Sequence, residues 1–187
     1  KCFSIIADKD ALFKADGSAD LISKSVVLGA VTTYQGDYGT KNPESFTIDN
    51  FRSYFVDAAR GQVCRLSNDG VTPISSQGMH DFFADNLKPG TLDGTQTTIK
   101  KIIGTFDDRK SLYNVSITQQ FEVPKNDSNA KTYAAPTTTV YTLAYSENSK
   151  GWVSFRDIDP ENGLSINNDF YTFKFGALWK EYSNDTR

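Results

Sequence analysis

Ser53-Tyr54-Phe55-Val56-Asp57, then Arg60-Gly61-Gln62-Val63-Cys64-Arg65-Leu66 and Ser67-Asn68-Asp69-Gly70, decide the fold, together with Asn42-Pro43-Glu44-Ser45-Phe46 just upstream. The stretch reads as a short apolar strand, a polar turn, a second strand and a further turn at a glycine. Two strands of β-branched and aromatic residues separated by turn formers make a hairpin. A hairpin of this wording is the sheet-building unit of a β-propeller blade.

The same form recurs outward from it. Cys2 to Ala7, a turn at Asp8-Lys9-Asp10 and Ala11 to Ala15 make one hairpin, closed by Asp16-Gly17. Thr105-Phe106 and Leu112 to Phe121 flank Asp107-Asp108-Arg109-Lys110. Val140 to Tyr145 and Trp152 to Phe155 flank the turn from Ser146 to Gly151, and Asp169 to Lys174 and Ala177 to Lys180 flank Phe175-Gly176. One helix is expected near 78–87, with Met79, Phe82, Phe83 and Leu87 near helical spacing and Lys88-Pro89-Gly90 as its stop. Polar residues and Pro136 mark a long exposed loop near 124–139. The expected fold is all-β, a single region over 1–187 built of propeller-like blades of antiparallel strands. At about forty to fifty residues per blade the chain holds roughly three to four blades. That is fewer than most closed rings, so either sequence outside this chain completes the ring or some strands belong to another structure. The expected core is Phe46, Phe55, Leu66, Phe106, Tyr113, Val115, Tyr141, Leu143, Trp152, Phe155, Tyr171, Phe173 and Trp179.

Composition excludes several classes. The 20 basic and 23 acidic residues are spread along the chain and form no basic patch, which disfavours nucleic acid as a partner. No apolar run is long enough to cross a bilayer, so no membrane partner is expected. The start at Lys1 lacks the long apolar run of a signal peptide and the initiator methionine, and is read as lying inside a longer polypeptide. Cys2 and Cys64 are too few for a disulfide framework and are read as inert core cysteines.

Signals for chemistry are weak. His80 is the one histidine, which excludes a multi-histidine metal site, and no Gly-x-Ser-x-Gly elbow supplies a nucleophile for it. Asp57, Asp69, Asp107, Asp108, Asp157, Asp159 and Glu161 offer carboxylates for glycoside hydrolysis, but turn capping is the simpler role. Ser67-Asn68-Asp69-Gly70-Val71-Thr72-Pro73 approaches the Asp-box of sialidase-type propellers; it lacks the residue between Asp and Gly and ends in Pro where the aromatic belongs. Neither a calcium loop nor a phosphate-binding glycine spacing occurs. Asn114-Val115-Ser116 and Asn126-Asp127-Ser128 match the glycosylation pattern. No catalytic, cofactor-binding or metal-ligating residue is assigned, and no enzyme activity or cofactor is expected.

Several stretches together resemble large structural proteins of tailed bacteriophages. They are Asn42 to Phe46, Tyr54-Phe55-Val56-Asp57-Ala58-Ala59-Arg60-Gly61, Arg65 to Gly70, and Ile74-Ser75-Ser76-Gln77-Gly78-Met79-His80-Asp81-Phe82-Phe83. Gly104-Thr105-Phe106-Asp107 with Tyr113-Asn114-Val115, Trp152-Val153-Ser154-Phe155 and the run from Asn168 to Lys180 continue the likeness. The family it resembles is the tail or stabilisation proteins, some muzzle-like, of crAss-like and related marine phages. The likeness runs from Gly29 onward, and the family's members are much longer than this chain. It implies a virion component at the tail, assembled in the host bacterial cytoplasm, with other virion proteins as partners and a homo-oligomeric ring in the particle. It supplies no catalytic residues. The alternatives are a carbohydrate-binding (receptor-binding) or glycosidase-like propeller of a tail element, with a glycan as partner, and a cellular propeller serving protein interaction.

Overall fold

The computed structural model describes residues 1–13, 19–92, 95–122 and 136–183. The chain divides into two compact units, Lys1–Gly39 and Thr40–Arg187. The first is a long antiparallel hairpin of β1 (Phe3–Phe13) and β2 (Ala19–Thr33). The turn expected at Asp8-Lys9-Asp10 is strand instead, with Lys9 opposite Ser23 and Asp10 opposite Ile22. A continuous backbone ladder overrides the local turn preference of these residues. The ladder shifts register on either side of Ala7. The closing turn at Asp16-Gly17 lies outside the described residues.

The second unit holds three antiparallel sheets, each formed by strands consecutive in sequence. The first is β3 (Thr47–Ile48), β4 (Ser53–Asp57), β5 (Gln62–Ser67) and β6 (Gly70–Pro73). After it comes α1 (His80–Asn86). The central sheet is β7 (Gly90–Leu92), β8 (Thr95–Asp107), β9 (Leu112–Glu122), β10 (Thr137–Ser146) and β11 (Gly151–Arg156). The third is β12 (Asn162–Ile166), β13 (Asp169–Lys174) and β14 (Ala177–Lys180). The hairpins expected around residues 57–61, 107–110, 146–151 and 175–176 are all present, as is the helix. The loop expected near 124–139 falls mostly outside the described residues, and Thr137 to Thr139 belong to β10.

One turn design is built three times. Asp57, Asp107 and Ser146 each end a strand, and a side-chain oxygen of each accepts the backbone N–H three residues on, from Arg60, Lys110 and Ser149. The turn then closes through a left-handed residue: Gly61 (φ 67°), Ser111 (φ 52°) or Lys150 (φ 48°). The third sheet uses two-residue turns in which both residues have positive φ, Asn167-Asn168 and Phe175-Gly176. Turns of that sort match the twist of the strands they join.

The central sheet is covered on both faces, and successive residues of β8 show how. Gly104 lies against the backbone of Ser45, where a Cβ would overlap the Ser45 carbonyl, and Thr105 touches Gly163 of the third sheet. Ile102, Tyr113, Val115, Ile117, Leu143 and Tyr145 therefore face the first sheet and α1, where they meet Tyr54, Val56, Val63, Ile74, Phe83 and Leu87. Tyr54 and Tyr113 stack at 4.7 Å across this layer. The opposite layer is mixed: Thr105, Asp107, Asn114, Ser116 and Thr142 are buried there together with Ile103, Ala144 and Phe170. Thr142 Oγ1 donates to the Ile158 carbonyl at 2.6 Å, so the 2.7 Å bond from Ser116 Oγ must donate to Thr142.

The described structure is four antiparallel sheets with one short helix. Among the described residues the sheets form neither a closed ring nor a propeller. Of the expected core, Phe55, Tyr113, Val115 and Leu143 are buried. Leu66, Phe106, Tyr141, Trp152 and Tyr171 are half-buried, whereas Phe46, Phe155, Phe173 and Trp179 are exposed. Burial was expected from aromatic content, but position in the sheets sets it: Phe173 is on the outer face of the third sheet, Phe155 and Trp179 share the faces of Leu143 and Thr172 but lie on the edge strands β11 and β14, and Phe46 follows the Pro43–Ser45 turn. Cys64 is fully buried, as expected, and Cys2 is half-buried.

Candidate functional site

The carboxylates singled out in the sequence do not converge. Asp57 and Asp107 cap their turns, Asp69 and Asp108 sit on turns, and Asp157, Asp159 and Glu161 lie on the exposed segment before β12. Asp107 also accepts the Tyr182 hydroxyl at 2.7 Å and lies 3.9 Å from the Arg156 guanidinium, which donates to Asn114 Oδ1 at 3.0 Å and bonds Tyr182. Burial first, and then the bond to the Asp107 carboxylate, push the Tyr182 phenol well above its ordinary pKa. His80 is exposed on α1, and its Nδ1 lies 3.0 Å from the Asp81 carboxylate. The Asp-box-like run is an ordinary turn, Asn68-Asp69, closed by Gly70 at φ 98°. Asn114 of the first glycosylation match is fully buried, and the second lies outside the described residues. Among the described residues no group of three or more potential metal ligands assembles, and no helix is long and apolar enough to cross a membrane.

The strongest polar constellation was not legible beforehand. It centres on Glu147, the first residue of the β10–β11 turn. Glu147 accepts Tyr54 Oη at 2.9 Å and Arg65 Nη1 at 2.9 Å, and Arg52 Nε stands 3.6 Å away. Asp49 completes the group. Its Oδ1 accepts the backbone N–H of Phe51 at 2.6 Å and of Arg52 at 2.8 Å, and its Oδ2 accepts Arg52 Nη1 at 3.2 Å. Burial, reinforced by the Glu147 carboxylate, raises the Tyr54 phenol far above its ordinary value. Burial would lower Arg52, but Glu147 and the Asp49 hydrogen bond hold its pKa up. Both carboxylates are engaged by arginine and tyrosine donors, so the group ties a turn of the central sheet to the first sheet. Glu147 meets Arg65 and Tyr54 across 82 and 93 positions of sequence, so no local pattern announces the group.

Two open depressions flank the group, of about 370 and 550 Å³, and Phe51 lines both. Phe51 is 82% exposed.

The most distinctive surface lies on the third sheet. Pairing places Leu164 beside Tyr171 and Phe173 beside Leu178, on the face opposite Phe170 and Thr172. The inner face, with Gly163, Ser165 and Thr172, meets the mixed layer of the central sheet. The outer face carries Leu164, Ile166, Phe173 and Leu178, all exposed, and Phe175 stands 85% exposed at the adjoining turn. The same outer face also carries Asn162 and the ion pair of Asp169 with Lys180 at 2.6 Å, and the inner face holds the fully buried Phe170.

No protein-family model, no curated protein and no solved structure matches the chain.

Proposed function

We propose that this chain is a structural component of a bacteriophage tail, a rigid β-rich part that packs against other virion proteins by its sheet faces. The observation that carries the reading is the apolar outer face of β12 to β14. Exposed apolar side chains aligned on one sheet face mark a surface meant for a partner. Stacking of meander sheets in chain order is the second support, since a propeller blade is an antiparallel meander buried between neighbours. On this reading the three sheets of the second unit are blade-like, and the outer face of the third takes a further sheet. The hairpin of the first unit adds a surface of its own, with Phe3, Ile5, Val27, Leu28 and Val31 exposed.

The role is mechanical, localised to the virion and free of cofactors; a homo-oligomeric ring in the particle fits it. The test is electron microscopy of phage particles from the source that encodes this chain, decorated with an antibody against it. Label at the tail is expected. Purified, protein-complete particles that carry none of the chain by labelling and by peptide mass spectrometry overturn the proposal.

A further inference from the structure

We propose that Asn162–Gly163 is a self-modifying site, at which the Asn162 side-chain amide is lost by spontaneous deamidation and the outer face of the third sheet gains a carboxylate. This goes beyond the tail reading and does not rest on it.

Sequence supplies the reactive pair. Of the asparagines in the chain, Asn162 alone is followed by glycine, whose missing Cβ leaves the peptide nitrogen free to approach the asparagine side chain. Structure supplies access. Asn162 is exposed and opens β12, and β12 is the edge of its sheet. In a two-residue hairpin the residues flanking the turn exchange backbone bonds, and every second pair along the ladder does the same. Those pairs are Ile166 with Asp169, Leu164 with Tyr171 and Asn162 with Phe173. The Gly163 N–H therefore points off the free edge, and it donates to Asn162 Oδ1 at 2.8 Å. The side-chain amide is thus folded onto the nitrogen that displaces its ammonia, and such proximity replaces a bimolecular encounter. Strand ends open locally at little cost, which gives Asn162 the backbone rotation that ring closure needs. Asn114, by contrast, is buried with its Oδ1 held by Arg156, and Asn42 precedes a proline, which has no N–H.

The chemistry needs water alone. Solvent base takes the Gly163 amide proton, and the nitrogen adds to Asn162 Cγ. The N–Cγ bond forms, the Cγ–Nδ2 bond breaks and ammonia leaves, closing a five-membered imide. Water opens the imide at Cγ to give aspartate, or at the main-chain carbonyl to give isoaspartate. One water enters and one ammonia leaves. The two products differ in consequence. Aspartate adds a charge on the face that carries Leu164. Isoaspartate also lengthens the main chain by one carbon, next to a residue with no slack. A Cβ on Gly163 would stand 2.9 Å from Thr105 Cγ2 and 3.1 Å from the Tyr171 carbonyl oxygen.

The folded chain is held at physiological temperature in neutral and in mildly alkaline buffer. Its peptides are followed by mass spectrometry, with fragmentation that separates aspartate from isoaspartate. The amide-to-acid mass change is expected at Asn162 at least about tenfold faster than at any other described asparagine, faster in the alkaline buffer and with both products present. Asn162→Gln should abolish it at this position with an unchanged melting temperature, because the ring it would close is six-membered. Hydrogen exchange in β12 and β13 should be faster in the isoaspartate form and unchanged in freshly prepared Asn162→Asp. A urea-unfolded sample is the reference. Deamidation of Asn162 there and not in the folded chain overturns the proposal, since the ladder then locks the site. So does a folded chain in which Asn162 changes no faster than Asn50 or Asn148.

Discussion

Tyr54 shows how much one residue can tie together. Its ring stacks on Tyr113 at 4.7 Å and on Phe106 at 5.7 Å, and its hydroxyl reaches Glu147 and, at 3.3 Å, Asp49. The ring belongs to the apolar layer and the hydroxyl to the charged group at its edge, which is the dual use that favours tyrosine over phenylalanine. Tyr54→Phe keeps the stack and removes a donor from two carboxylates. A hydrogen bond to a charged group contributes about 1.5–3 kcal/mol, so the variant should lose stability in that range in a urea titration with an unchanged m-value. A loss near zero would show that Arg52 and Arg65 suffice for Glu147. Ser45 is a second such residue. Its hydroxyl donates to Asn42 O at 2.7 Å and accepts Val56 N at 3.1 Å, while its carbonyl accepts the Tyr113 hydroxyl at 3.2 Å. The Asn42 to Phe46 run is therefore a 3-10 turn, Pro43–Ser45, that straps the first sheet to the central one. That close approach is why Gly104 has no side chain.

At the scale of elements, the hairpins were the most legible feature. Turn formers at Asp57 to Gly61, Asp107 to Lys110 and Phe175-Gly176 act locally, so short sequence windows suffice to find them. β3, β6, β7 and β12 escaped because each is short or weakly apolar and exists through its ladder to a neighbour, and β2 escaped because the returning strand was expected at Ala11 to Ala15, where β1 still runs to Phe13. The Phe175-Gly176 turn also carries a mismatch. Phe175 has φ 51°, a left-handed conformation that costs a bulky L-residue about 1–2 kcal/mol, and its ring is 85% exposed. Phe175→Asn should relieve this and give the Asn-Gly pair such turns favour. The expected gain is about 0.5–1 kcal/mol, read as a higher denaturation midpoint. An equal or lower midpoint would show that the ring, close to Lys174 Nζ at 4.9 Å, contributes more than its backbone strain removes.

For the whole molecule, the buried phenols set an alkaline limit. Tyr54, Tyr113 and Tyr182 all have folded pKa values raised above the ordinary 10, with burial the first cause in each. A group whose folded pKa is raised holds its proton longer in the folded state than in the unfolded state. Its contribution is therefore fully present below the unfolded pKa, near 10, and is lost as pH rises beyond it. Stability should be insensitive to these groups through neutral pH and fall steeply above about pH 10. A spectrophotometric titration should show part of the phenolate absorbance appearing together with unfolding rather than before it. Smooth titration of every tyrosine near 10 with the fold intact would contradict this.

The sequence by itself determined much of the strand-and-turn alphabet: the hairpins around residues 57–61, 107–110, 146–151 and 175–176 and the one helix, though not the turn of the first hairpin. These rest on φ preferences and alternation, which act over a few residues. The tertiary structure decided which faces are buried. Phe173 reads as core yet is exposed, while its strand neighbour Phe170, on the other face, is fully buried. A strand's alternation shows that it has two faces and leaves open which one finds a partner. That depends on the sheet stacked above it, as the apolar layer on one side of β8 and the mixed layer of Thr105, Asp107 and Ile103 on the other make plain. The Glu147 group arises in the same way. Long-range packing alone brings Asp49, Arg65 and Glu147 together, because electrostatic pairing across a fold leaves no periodicity in the chain.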